Sequence, residues 1–253
     1  MWAASDTFSF GDLAVGIRSD PAALASRVRA ILSGHAVEGL SAPSNYSIRL
    51  ETPAARTKGP PRAYALYRGQ CLLLRTRRRT RALRALVRCL SAHTDVRTGI
   101  VRVRHAAVVG RSRAVLLPPE LSWRLEALEP RMREEGLWLV DPPLVEIDTG
   151  SGEVVLAQPE LLGSPVAVEE GDETSAPAGR YPIGEWAILA AEDEPVPLEV
   201  ALAAVMPSVQ ADMSDPAPFD GMLRTLRTTT LSGVRQAAGA ARLLDRIVGA
   251  SAD

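Results

Sequence analysis

The chain has 253 residues, 46% of them apolar, with a formal net charge of −1. This is enough apolar chain for one large domain or two smaller ones, and the balanced charge excludes a general pull toward nucleic acid or anionic membrane. No apolar run reaches the roughly eighteen residues a membrane helix needs, and residues 1–6 lack the regions of a secretory signal. The expected location is therefore cytoplasmic, with Cys71 and Cys89 as reduced, buried thiols. His35, His93 and His105 are scattered without Cys–His spacing, so no structural zinc site is expected. Of the 29 basic side chains only Lys58 is a lysine. Schiff-base or phosphate-loop chemistry would have to use it, yet it lies in a turn-rich connection.

Residues 7–18 read as one extended segment with Phe8, Phe10, Leu13 and Val15 as core candidates. Asp20, Pro21 and Gly34 mark a helix from cap to stop. Residues 46–51, 63–67 and 70–75 read as strands, the last two joined at Arg68-Gly69 as a hairpin. A basic run then enters a helical pattern. On a helix, Arg77, Arg81, Arg84 and Arg88 share one face, and Leu83, Leu86, Val87 and Leu90 another. Two readings of the arginine stripe stand side by side: a solvated face, or a dock for an acidic protein or peptide. Nucleic acid is not favoured, because no aromatic residues are interleaved for base stacking.

Residues 93–98 form a candidate boundary, giving a small α+β unit over 1–95 and a second unit over 96–253. The second unit opens with an apolar run over 100–109, a turn at Gly110 and a short strand ending at Leu117-Pro118. Helical spacing follows from Pro119 to Glu135. Leu121, Leu125, Leu128 and Met132 fall on one face, with Trp123 off it, and Pro130 kinks the helix or divides it. Trp123 reads equally as an exposed anchor for a partner or as a packed side chain. Strands are expected at 137–140, 144–148 and 153–157, then an acidic loop over 169–179, a strand at 186–190 and a helix at 197–206. Residues 225–231 suit either state, and an amphipathic helix over 235–248 closes the chain.

The stretch His105-Ala-Ala, a short turn and a strand ending Leu116-Leu-Pro118 resembles the HPr serine kinase-like family, including members that accompany ribosomal-peptide biosynthesis genes. The resemblance implies an α/β fold with a mixed sheet and flanking helices, of the phosphate-loop kinase type found in the HPr kinase C-terminal domain. It also implies a loop of the form Gly-x-x-Gly-x-Gly-Lys-Ser/Thr after Pro118. Here Pro119, Ser122 and Arg124 stand where the glycines would be, Leu125 where the lysine would be, and Glu126 where the magnesium-binding hydroxyl would be. Asp141-Pro-Pro143 occupies the place of the family's acidic residues.

The physics of the stretch agrees with that departure. A phosphate loop needs consecutive backbone N–H groups curled by glycine, and a lysine to offset charge. Between Gly110 and Gly136 there is neither. Pro119 removes a donor, and Glu120 places negative charge in the first turn. The expectation is a non-catalytic kinase-like protein (a pseudokinase) with no cofactor, binding a protein or peptide partner, with self-association open. The resemblance further implies an accessory role in ribosomal-peptide biosynthesis. The alternative is an active serine kinase acting on a precursor peptide, using ATP and magnesium on an atypical loop. Its carboxylates would be Asp141, Glu146 and Asp148, the only acids in the right neighbourhood.

Overall fold

The computed structural model describes the chain except residues 1, 38–41, 52–61, 95–97, 141–143, 158–159, 162–163, 166–175, 211–215, 236–238 and 253. Lys58, Asp141 and most of the acidic loop lie outside the described residues. The chain divides into two compact units, Met1–Asp95 with Gln158–Gly171, and Val96–Ala157 with Asp172–Asp253. Together they hold mixed sheets and several helices, an α/β protein.

In the first unit, β1 (Ala4–Phe10), β2 (Leu13–Asp20), β3 (Ser44–Glu51), β4 (Ala63–Arg68) and β5 (Cys71–Thr76) form one sheet in sequence order. Only β2 and β3 run parallel. The expected single segment over 7–18 is a hairpin instead, because Gly11 adopts a φ of 61° that reverses the chain. Cross-strand partners such as Phe8 and Val15, Ile17 and Tyr46, and Ile48 and Leu66 build one buried face. Leu13, the first residue of β2 beside the turn, is exposed, contrary to expectation. Cys71 is exposed too, on the edge strand, while Cys89 is buried and its thiol pushed up to about 12 by desolvation.

Helix α1 (Ala22–Ile31) packs on β2. Asp20 does not cap it, since Asp20 is still in β2 and Pro21 holds the N-cap position. Helix α2 (Arg79–Thr94) packs on β4 and β5. Its residues Ala82, Leu83, Ala85, Leu86, Val87, Cys89 and Leu90 are all buried, so apolar contact extends well beyond one stripe.

The second unit begins with β6 (Ile100–Val103) and β7 (Ala106–Val109). The expected continuous run is broken at Arg104 and His105: the Arg104 N–H donates to Ser208 O and the His105 N–H to Val103 O. The two halves consequently join different parts of the sheet. β8 (Ala114–Leu117) leads into helix α3 (Pro119–Leu125), a 3-10 turn at Glu126–Leu128, and helix α4 (Glu129–Glu134). Pro130 thus separates two short helices, and Gly136, at a φ of 69°, turns the chain into β9 (Trp138–Val140).

Next come β10 (Val145–Asp148) and β11 (Glu153–Leu156). The chain then supplies the first unit with a hairpin, β12 (Glu160–Leu161) and β13 (Ser164–Pro165), of which β12 packs on α2. The 96–253 range therefore does not stay within one unit. Back in the second unit, β14 (Gly179–Ala190) is followed by α5 (Leu198–Val205), β15 (Val209–Gln210), α6 (Ala217–Thr228), β16 (Thr230–Arg235) and α7 (Ala240–Ala252). The ambiguous 225–231 stretch contains the end of α6 and the start of β16, and α7 begins later than the pattern suggests, because residue 235 still pairs with β14.

The sheet order is β15-β6-β10-β11-β14-β8-β7-β9, with β16 also on β14. β14 runs parallel to both β8 and β16. Both faces of this region are buried, each in its own cluster. Ala107, Val109, Ala114, Leu116 and Trp186 pack with Ala201, Val205, Met222 and Leu226 of α5 and α6. Ala106, Val108, Val115 and Leu117 pack with Leu121, Leu125, Met132, Leu243, Leu244 and Ile247 of α3, α4 and α7.

Candidate functional site

In a parallel α/β sheet, ligands gather where strands end and helices begin. The step from β8 into α3 is such a place, with β8 and β14 parallel at this point. Pro118 holds the N-cap of α3, with φ −52° and ψ 136°, and no side chain caps the helix. Neither Pro118 nor Pro119 has an N–H to offer. The Leu121 N–H is already donated to Pro118 O at 3.0 Å. Glu120 lies in the first turn, where its charge suits the helix and opposes a phosphate.

The side chains at the positions where the resemblance would place a phosphate loop are mostly committed to local packing. Ser122 is buried and its Oγ donates to Pro119 O at 2.8 Å, so the hydroxyl serves the local turn. Leu125 is 0% exposed and belongs to the α3–α4–α7 cluster. Leu121 and Met132 are buried beside it and Leu128 packs against them, as the helical spacing predicts. Glu126 is buried in the 3-10 turn. The Arg124 guanidinium lies 5.7 Å from the ring centroid of Trp123, which is 42% exposed. The junction is thus a packed helix start with an exposed Trp123 and a half-buried Arg124 beside it.

His105 lies at this end of the sheet, one residue before the pairing of Ala106 with Leu117. It meets the edge of Trp186 at 5.4 Å between centroids, and burial pushes its imidazole down to about 4. Neither its Nδ1 nor the Trp186 Nε1 has a hydrogen-bond partner among the described residues. The ring is therefore neutral at physiological pH.

Glu146 and Asp148 do share one face of β10, but they lie away from the junction. Asp148 is level with Glu153 and Pro182, near the start of β8, and β11 and β14 intervene between β10 and β8. At about 4.8 Å per strand and 3.3 Å per residue, the separation from Pro119 is on the order of 20 Å. Each carboxylate is also engaged. Arg102 holds Glu146 at 2.9 Å, and Arg180 holds Asp148 at 2.6 Å. Asp148 further accepts the Gly150 N–H at 2.8 Å, and these bonds hold its carboxyl below the usual range.

The arginine stripe is divided. Arg77 precedes α2 and is exposed, Arg84 and Arg88 are half-buried, and Arg81 is 3% exposed. All four make polar or electrostatic contacts. The solvated-face reading therefore fails for Arg81, which is buried.

Two ionic groups escaped the sequence reading. Glu185 on β14 accepts hydrogen bonds from Ser232 Oγ and, at 2.9 Å, from Arg246 Nε. Asp193 accepts the Arg235 N–H at 3.0 Å and pairs with Arg242 at 2.8 Å. Their members lie far apart in the chain, and no local pattern signals them. No family model, curated protein or solved structure matches this chain.

Proposed function

We propose that this chain is a non-catalytic, kinase-like α/β protein of the HPr kinase type. Its former nucleotide position has become core, and it acts by binding a protein or peptide, as an accessory factor in ribosomal-peptide biosynthesis. The observation that carries the reading is the complete burial of Leu125 among Leu121, Met132 and α7. Where the resemblance expects a phosphate-directed lysine, the side chain instead contributes hydrophobic packing. The proline-headed α3 supports the same reading, because Pro118 and Pro119 have no N–H to offer a phosphate and the Leu121 N–H is donated to Pro118 O. The half-exposed Trp123, with Arg124 beside it, is a suitable anchor for a partner at the same place.

The test is calorimetric titration of the full chain with ATP and magnesium, with phosphoryl transfer to water or added peptide followed in parallel. No saturable heat and no transfer are expected. Saturable ATP binding that Arg124→Ala abolishes would sink the proposal and make the chain a nucleotide-dependent protein.

A further inference from the structure

We propose that the cleft between α7 and the C-terminal end of β16 binds a small aliphatic carboxylate. Arg242 and Arg246 would hold the head group, and Val234 and Leu243 the apolar body. The cleft has a volume of about 300 Å³ and is lined by these four residues and Asp193. It lies wholly in the second unit and is independent of what the β8–α3 junction binds. Its lining residue Asp193 accepts the Arg235 N–H where β14 and β16 end in parallel, the side of an α/β sheet that favours ligands.

The charges define the chemistry. Arg246 is fixed from behind: its Nε donates to Glu185 at 2.9 Å and its Nη1 to Gly233 O at 2.7 Å. Its Nη2 has no hydrogen bond among the described residues. A guanidinium oriented in this way is prepared for a carboxylate without further ordering cost. Arg242 has a side chain 72% exposed and, among the described residues, is held by Asp193.

Asp193 shows what this corner accepts, since one carboxylate spans the Arg235 N–H and the Arg242 guanidinium. It is an internal competitor for the ligand. Glu185 balances Arg246, so the resting cleft is near neutral. An incoming anion gains by sharing Arg242 with Asp193 or displacing it. Val234 and Leu243 are buried beside the arginines, and they exclude water from one side of the head group.

The probe is acetyl-leucine, with acetyl-leucine amide as the uncharged control, titrated into the full chain and followed by calorimetry. Acetyl-leucine should bind saturably and the amide should not. Arg242→Gln should weaken binding at least tenfold. Asp193→Asn should tighten it severalfold, since asparagine still accepts the Arg235 N–H while its charge is gone. The opposite signs separate ligand recognition from simple loss of structure.

Inorganic phosphate, which has charge without an apolar body, should bind at least tenfold more weakly. A tetrapeptide ending in a free leucine distinguishes the two sources of such a group. Tighter binding than acetyl-leucine supports the site and assigns it to peptide ends, and exclusion supports it for free acids. The proposal is overturned if neither the parent chain nor Asp193→Asn binds acetyl-leucine, if Arg242→Gln binds equally well, or if phosphate binds as tightly.

Discussion

At the scale of the residue, burial sets the charge state of His105, at the end of the sheet where β8 meets α3. Its pKa falls from 6.5 to about 4 because desolvation penalises the imidazolium. Between those values the unfolded chain binds more protons than the folded one, so stability must fall as pH drops from 6.5 to 4. The full contribution is about 3 kcal/mol at one unit per 1.4 kcal/mol. Urea unfolding at pH 7 and pH 4.5 should show this loss, and His105→Phe, which keeps an aromatic ring against Trp186, should flatten it. Equal pH slopes for both chains would contradict it. Asp148 acts in a different window: its carboxyl is lowered below 3.8, so its contribution disappears only in stronger acid. In the sequence His105 was one of three scattered histidines. The apolar run around it was the available signal of burial.

Among the elements, α2 and α6 show what periodicity conveys and what it misses. The leucine face of α2 was legible from spacing, but the burial of Arg81 was not, because it depends on chain packed around the helix. Arg81→Gln should therefore destabilise by about 1–3 kcal/mol in chemical denaturation, whereas exposed Arg77→Gln should change stability by less than about 0.5 kcal/mol. Similar small effects for both would return the stripe to a solvated face. In α6, Gly221 is needed for close approach. A Cβ there would lie 2.8 Å from Thr149 O, in the turn after β10. Gly221→Ala should cost about 1–3 kcal/mol through overpacking, despite alanine's better helix propensity. An unchanged or higher unfolding midpoint would show that the turn yields. The split at Pro130 was legible from proline chemistry alone, and α3 and α4 are the outcome.

For the whole molecule, the two-unit division follows a path that linear reading could not trace, since Gln158–Gly171 belongs with the first unit. The break at Arg104–His105 was equally hidden, because continuous apolar character does not reveal which neighbour each half will pair with. The core of the second unit was easier to foresee. Its strands alternate between two buried faces, and the Leu121–Leu125–Met132 face of α3 and α4 completes one of them. Leu125 therefore belongs to a cluster that joins β7, β8, β9, α3, α4 and α7, and damage there should be felt across the unit. The direct test is Leu125→Lys followed by chemical denaturation of the full chain, with Trp123→Ala as the exposed neighbour. A packed core predicts a loss of a few kcal/mol for the lysine, from burial of an unpaired charge, and a much smaller loss for the alanine. Near-neutral stability of Leu125→Lys would contradict the account, because it would place the position in an open cleft where a ligand could still bind.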